Sequence, residues 1–456
     1  MKLSKRDLRT RVKSFLPIEF TDEPLTSHAG LELFRRFAAQ AGWLDRLRQI
    51  FAGRRFDTDY GSFRTTLLVV GMLLLGGSRL SHLRVLDRDP LFLRWARLQR
   101  LPDERTLSRG LQAITAPFRE ELGELLRDVA YQTFEAIGLS RATIELDGTV
   151  IRTGECVDGA ERGFNPHHPK DPSYYPLTAH LAQTGQLLGV WNRSGNVNDA
   201  VGAGERLEAL IQDVRRRLGG IPLEVRLDGA FFQRPVLEVL SASRVEYALK
   251  VPMWKWLGVR QRIAARRSWA RVNSSVDAFS TRLRIEAWSR TERIVVFRKR
   301  VSGETRKNFQ LDLFSPDDGH YEYSMVATNK TIGVQALWAF MAGRGGHEKT
   351  LGELKQHLAF GTVPTGDWDA NSAWQLLSAL THNLVRHFQV RTGAVQRPRT
   401  RKRTCAYRFL SLRTLRFTLL QLPGRIARPA GRTVLRIAAS ASSRHRIREI
   451  ETALAA

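Results

Sequence analysis

Three acidic residues in this chain stand in settings that suit a single active site. Asp147 lies in Thr143-Ile-Glu-Leu-Asp-Gly-Thr149, Asp228 in Glu224-Val-Arg-Leu-Asp-Gly-Ala230, and Glu348 in Gly343-Arg-Gly-Gly-His-Glu-Lys-Thr-Leu-Gly-Glu-Leu-Lys355. The first two contexts read as strands. Ile144, Leu146 and Val150 alternate with Glu145, Asp147 and Thr149, and Leu223, Val225 and Leu227 alternate with Glu224, Arg226 and Asp228. Each aspartate therefore points away from its strand's apolar face, and each is followed by a glycine that admits a close approach of backbone or ligand. The third context reads as helical: at the pitch of a helix, Arg344, Glu348 and Lys355 fall within about 40° of one another on one stripe.

Cleavage of a phosphodiester needs a water or hydroxyl activated near neutral pH and a leaving oxygen whose charge is stabilised. Two Mg²⁺ or Mn²⁺ ions roughly 3.5–4 Å apart supply both, and carboxylates are the hard oxygen ligands that hold them. In that arrangement Asp147 bridges both ions, Asp228 holds one and Glu348 completes the other. Arg344 and Lys355 have two readings. They are either surface charges in i,i+4 pairs, or clamps on the phosphates that flank the reacting one, the arginine as a fork and the lysine as a point charge.

The rest of the composition agrees with a polyanionic substrate. The 456 residues carry a formal net charge of +27 and a sequence pI of about 11.0, far more than solubility requires. Nucleic acid is favoured over membrane. The apolar run Leu67–Gly76 is about half the roughly 20 residues a spanning helix needs, and it reads as a buried helix. No secretory signal is expected at the start. Cys156 and Cys405 are the only cysteines, which leaves no disulfide framework or cysteine-rich zinc site and fits a reducing cytoplasm.

Periodicity divides the chain. Residues 1–140 read as an all-helical DNA-binding domain, in which Leu101–Ile114 offers Thr106, Ser108 and Arg109 to a DNA groove or is an ordinary capped helix. Residues 141–252 read as three strands, a helix, a strand carrying Asp228, a short helix and a further strand, an α/β layer in the order used by ribonuclease-H-like nucleases. Residues 253–325, with Trp254, Trp256, Trp269 and Trp288 among arginines, read as a β-strand-rich insertion. The tryptophans are core by default, with one available to stack an extruded base. Residues 326–392 are the helical remainder of the core. Residues 393–456 form a basic segment. No acidic residue occurs between Asp369 and Glu449, so this segment is a phosphate-contact surface or a disordered tail.

The chain resembles DDE transposases of bacterial insertion sequences, in the branch marked by a Tyr, Arg, Glu, Lys signature. Arg344, Glu348 and Lys355 match its spacing, while Met341 stands where the tyrosine is expected. Arg162-Gly-Phe-Asn-Pro166, Pro172-Ser-Tyr-Tyr-Pro-Leu177, Gly195-Asn-Val-Asn-Asp199, Asn329-Lys330 and Ala379-Leu-Thr-His-Asn-Leu384 also fit the branch, over roughly residues 100 to 390. The resemblance implies a ribonuclease-H-like core interrupted by a β-rich insertion and preceded by helices. It implies Asp147, Asp228 and Glu348 as catalytic metal ligands, with Arg344, Lys355, Lys330 and Arg109 facing DNA. It further implies cut-and-paste chemistry on double-stranded DNA, at terminal inverted repeats and then a target. A homodimer in the synaptic complex and residence on the bacterial nucleoid follow; the resemblance leaves a hairpin step open. Two other classes of function remain: a nuclease of the same fold without strand transfer, and a DNA-binding protein without catalysis.

Overall fold

The computed structural model describes residues 15–52, 60–163, 165, 168–300, 321–393 and 409–455. Residues 301–320 of the expected insertion, the basic run 397–403, and Phe164 and Pro166 lie outside the described residues.

The chain begins with a short strand, β1 (Leu25–Thr26), and six α-helices among the described residues: α1 (Leu31–Gln40), α2 (Trp43–Phe51), α3 (Gly61–Leu75), α4 (Pro90–Ala96), α5 (Glu104–Gln112) and α6 (Ala116–Ile137). Helix α3 is apolar on every side and is correspondingly buried from Thr65 to Leu75. Its neighbours start where short polar side chains satisfy free N–H groups: Asp89 accepts from Leu91 and Phe92 ahead of α4, and Asp103 accepts from Thr106 in α5. No single described helix is long and apolar enough to cross a membrane.

The α/β part follows as β2 (Ala142–Gly148), the small ribbon β3 (Ile151–Arg152) with β4 (Ser173–Tyr174), β5 (Leu177–Leu181), β6 (Gln186–Trp191), α7 (Ala203–Leu218), β7 (Leu223–Leu227), α8 (Arg234–Ala242) and β8 (Glu246–Val251). Next come α9 (Val259–Ala264), β9 (Ala270–Arg271), β10 (Val276–Ile285), β11 (Arg290–Arg300) and β12 (Tyr321–Thr328). One sheet holds these strands in the order β6-β5-β2-β7-β8-β12-β11-β10-β9. Strand β7 runs parallel to β2 and to β8, and the other neighbours are antiparallel. The β-rich stretch after residue 253 therefore prolongs the same sheet from β8.

One face of the sheet packs on α7 and α8 through Ile144, Leu146, Val225, Leu227 and Leu249. On the other face, Ala248, Val295, Phe297 and Val326 meet Leu337 and Met341 of α10 (Val334–Ala342). Helices α11 (Gly345–His357) and α12 (Trp368–Arg391) follow. Almost every residue of α12 is buried, because it lies between the N-terminal helices and the sheet edge. Its Asn383 amide accepts from the backbone N–H of Leu187 at 2.8 Å and donates to that residue's carbonyl at 2.8 Å, satisfying the outer side of strand β6.

After residue 409 the chain is folded. Helix α13 (Leu412–Leu415), strands β13 (Gly424–Ala427) and β14 (Val434–Ile437), and helix α14 (Ala441–Ala455) pack back on the N-terminal helices. Strand β13 pairs with both β1 and β14. The backbones are in intimate contact, since a Cβ added to Gly30 would lie 1.9 Å from the Leu419 carbonyl. Arg416 donates to the carbonyls of Leu74 and His357 at 2.8 and 2.6 Å, closing the C-terminal ends of α3 and α11 together.

Candidate active site

The parallel pairing of β2 with β7 brings the first two acidic residues together. Glu145 is the register partner of Arg226, so Asp147 and Asp228 stand two residues further along each strand, side by side at the carboxyl ends. In open α/β sheets this is where ligands bind. Both aspartates project from the face opposite α7 and α8, as the alternation of apolar residues requires. That face is covered by α10 and α11, so the side chains sit in a polar layer instead of in solvent.

Helix α11 supplies the third acid. Arg344, the residue just before the helix, donates to Asp228 at 2.7 Å and reaches Asp147 at 3.4 Å. Glu348, in the first turn, is exposed at the mouth, where its charge acts on both Asp147 and Arg344. Two turns on, the Lys355 ammonium donates to the Val150 carbonyl at 3.0 Å, just beyond the end of β2. Burial pushes the Asp147 carboxyl up to about 7; Arg344 opposes this, and the charges of Asp228, Asp199 and Glu348 add to it. The structure thus gathers Asp147, Asp228, Glu348, Arg344 and Lys355. Arg344, expected either in an i,i+4 surface pair or on phosphates, here lies on the carboxylates of the sheet.

Asp199 was overlooked as a site residue. It carries no role in the motif where the sequence shows it; α7 begins at Ala203, and Asp199 lies in the preceding loop. Its Oδ2 accepts from the Tyr175 hydroxyl at 3.0 Å, and Oδ1 is buried against Gly148, directly after Asp147. The usable signal was the Gly195–Asp199 motif together with Tyr175 in the Pro172–Leu177 motif, both recognised but given no role.

Asp147, Asp228 and Glu348 share one mouth, Asp199 lies close behind, and burial makes both Asp147 and Asp199 harder to ionise, so the three hard-oxygen donors call for positive charge. Among known families, the model for the transposase DDE domain, group 1, matches residues 10–456. The chain belongs to this family. It is a DDE transposase, an enzyme of cut-and-paste DNA transposition with nuclease and transesterase chemistry. Comparison with curated proteins finds no match. Among solved structures it is similar to a piggyBac transposase in a synaptic complex with hairpin DNA, at 14% identity and a TM-score of 0.42, over 86% of this chain and 80% of that one.

A second polar group lies behind the transposase carboxylates. Glu145, His180 and His347 are all buried, with ligand-type atoms within 4.8 Å of one another, a set that could hold a metal ion. Positive charge is already present there: the Arg226 guanidinium donates to Glu145 and to the Phe340 carbonyl. Burial holds the His347 imidazole well below its ordinary pKa, and His180, Arg344 and Arg226 press in the same direction. The group ties β2, β5, β7, α10 and α11 together beneath the site. The exposed mouth, with its unbalanced carboxylates, is the better place for a divalent cation.

Of the other residues expected on DNA, Lys330 is placed elsewhere. It is buried at the opposite ends of the parallel strands, where its ammonium pairs with Glu224 at 2.6 Å and with Glu246, and Arg141 joins both acids. A lysine so engaged has no face for a phosphate in this structure. Arg109 is exposed on α5, apart from the carboxylates. Three of the four tryptophans in the stretch after residue 253 gather beside the Asp228 turn. Phe232 packs on Trp254 and Trp288, while Trp256, 53% exposed, stacks on Trp254 with ring centres 5.3 Å apart. Trp269 packs instead on Phe279 and under Arg298.

Proposed function

We propose that this transposase cuts double-stranded DNA at the terminal inverted repeats of a bacterial insertion sequence and joins the released 3′-hydroxyl to a target. The observation that supports this best is the equal level of Asp147 and Asp228 on adjacent parallel strands, with Glu348 at the mouth they share. The strands β6-β5-β2-β7-β8, three antiparallel and then two parallel additions, fit a ribonuclease-H-like core. Divalent metal belongs with the family's chemistry. Two Mg²⁺ or Mn²⁺ ions held by Asp147, Asp228 and Glu348 would activate the attacking oxygen and stabilise the leaving one. The protein's own part is to hold the carboxylates at one level, keep Arg344 and Lys355 beside them, and offer the Trp256 face to a base displaced near the break. Work as a homodimer across two ends, within the bacterial cytoplasm, belongs to the same proposal.

The test uses purified full-length protein, Mg²⁺ and DNA carrying the ends that flank the reading frame. Cleavage with a free 3′-hydroxyl, followed by a joined product with a staggered target duplication, is the expected result. Asp147→Asn, Asp228→Asn and Glu348→Gln should each lower cleavage by at least about 10³-fold while end binding in a gel shift changes little, since affinity comes from basic surface. Cleavage that never yields a joined product would leave a nuclease. Binding without cleavage by the wild type would leave a DNA-binding protein.

A further inference from the structure

We infer that Asp199 is a fourth carboxylate of the cation site, a positioning residue held against Asp147 by Tyr175 and Arg193. The inference rests on the metal-dependent reading above. Tyr175 sits between β4 and β5, and Asp199 lies in the loop between β6 and α7, so neither is brought to Asp147 by its own strand. Contacts of Tyr175, Arg193 and Gly148 bring them there. The Tyr175 hydroxyl donates to Asp199 Oδ2 at 3.0 Å. Arg193 donates to the Tyr175 carbonyl at 3.0 Å and to the Val201 and Asn198 carbonyls at 2.8 and 3.2 Å, with its guanidinium over the Tyr175 ring. Gly148 completes the cradle, because a Cβ there would fall 2.0 Å from Asp199 Oδ1 and 2.5 Å from the Tyr175 ring.

This is an expensive arrangement for a loop anchor. Arg193 donates to carbonyls through Nε and Nη1 and leaves Nη2 buried without a partner, while Asp199 Oδ1 faces only the Gly148 backbone and no side chain. The charge of Asp199 acts on Asp147 and that of Asp228 on Asp199, opposed by Arg344 at Asp147 and by Tyr175, Arg193 and the Gly148 N–H at Asp199, so a further negative charge stands beside two that already repel. Burial of an incompletely partnered carboxylate is costly unless a cation compensates it. A divalent cation at the Asp147–Asp228 mouth is the ligand whose arrival turns that repulsion into attraction. Asp199, held against Gly148, then adds its negative charge behind Asp147 and strengthens the hold on the ion, as groups behind the direct ligands do in metal sites.

The test measures Mn²⁺ binding to the full-length protein by calorimetry, with melting temperature in metal-free buffer as a second readout. Asp199→Asn keeps the shape and the Tyr175 contact but removes the charge. It should weaken Mn²⁺ binding at least about tenfold and leave the metal-free melting temperature the same or higher, which a purely structural anchor would not do. Tyr175→Phe, which keeps the charge but frees the carboxylate, should weaken binding by a smaller factor, and it carries the test should the asparagine variant not fold. Wild-type Mn²⁺ affinity in these variants, with binding lost in Asp147→Asn alongside, overturns the role of Asp199. Wild-type affinity in Asp147→Asn as well overturns the metal reading itself, and the inference falls with it.

Discussion

Arg344 donates to Asp228 across 2.7 Å, so a cation from the threshold of the Glu348 helix rests on a carboxylate of the sheet. The same guanidinium reaches Asp147 at 3.4 Å. It compensates charge that a metal would otherwise balance, and the two cations compete for the same acids.

Replacing Arg344 with Ala should therefore tighten Mn²⁺ binding, by about three- to tenfold, while lowering metal-free stability by about 1–2 kcal/mol through unrelieved carboxylate repulsion. Cleavage and joining should fall together, since the fork that pairs with phosphates is also gone. Calorimetry and thermal melts with and without Mn²⁺ check this. Unchanged metal affinity would mean that the guanidinium does not compete.

Glu353 fixes the same helix from its other side. It accepts from Arg386 of α12 at 3.1 Å and from the Leu412 backbone N–H at 2.9 Å, with His382 also against it. Burial would raise its pKa, but the His382 and Arg386 contacts and the Leu412 N–H hold it far below the carboxylate range. A depressed carboxylate contributes stability that is complete above its unfolded value of about 4.3 and fades as pH falls from there. Glu353→Gln should cost about 2–4 kcal/mol at pH 7, and the gap to wild type should shrink between pH 5 and pH 3. A constant gap in denaturant titrations at both pH values would remove the charge from the explanation.

Trp256 is the exposed member of the aromatic group beside the Asp228 turn. Its replacement by Ala should leave folding and Mn²⁺ binding intact while weakening affinity for end DNA with an unpaired base at the cleavage point by about 1–3 kcal/mol. Fully paired ends should bind nearly as before. Equal losses on both substrates would make the residue a general contact.

The basic C-terminal residues call for charge changes in place of truncation. Leu412, Leu415, Leu419, Leu420, Ile450 and Leu454 are buried in the core of the N-terminal helices, so deletion from residue 409 should unfold that half. Arg432, Arg436 and Arg444 are exposed. Changing all three to Ser should reduce the slope of log affinity against log salt by up to about 3 while preserving the preference for terminal repeat over random DNA. A lost preference would make this face a reader of bases.

Much of the core was legible in the sequence. Two-residue alternation around Asp147 and Asp228 identified both strands and the side from which the acids project, and the all-apolar run at Leu67–Gly76 identified a buried helix. What pattern could not supply was what covers the polar side. Glu145, His180 and His347 are far apart in sequence, and their meeting depends on α11 closing over the sheet. Lys330 was misplaced because a lysine beside an asparagine carries no sign that Glu224 and Glu246 wait for it at the ends of two other strands. Asp199 was missed because an acid just ahead of a helical pattern usually caps the helix, whereas here Gly202 takes the cap position with φ of 70°. The continuity of the insertion with the main sheet is a matter of which edge remained open at β8, and no local pattern states that.

The pairing of β1 with β13 has a consequence for how the molecule is made. Helices α1 to α3 leave the ribosome well before the strands and leucines that cover them, which follow tens of seconds later at elongation rates of about 5–20 residues per second. Until then their apolar flank is open to chaperones, and the half of the protein expected to grip DNA stays unfinished. A copy broken off before β13 would leave these helices without the leucines and the strand that cover them.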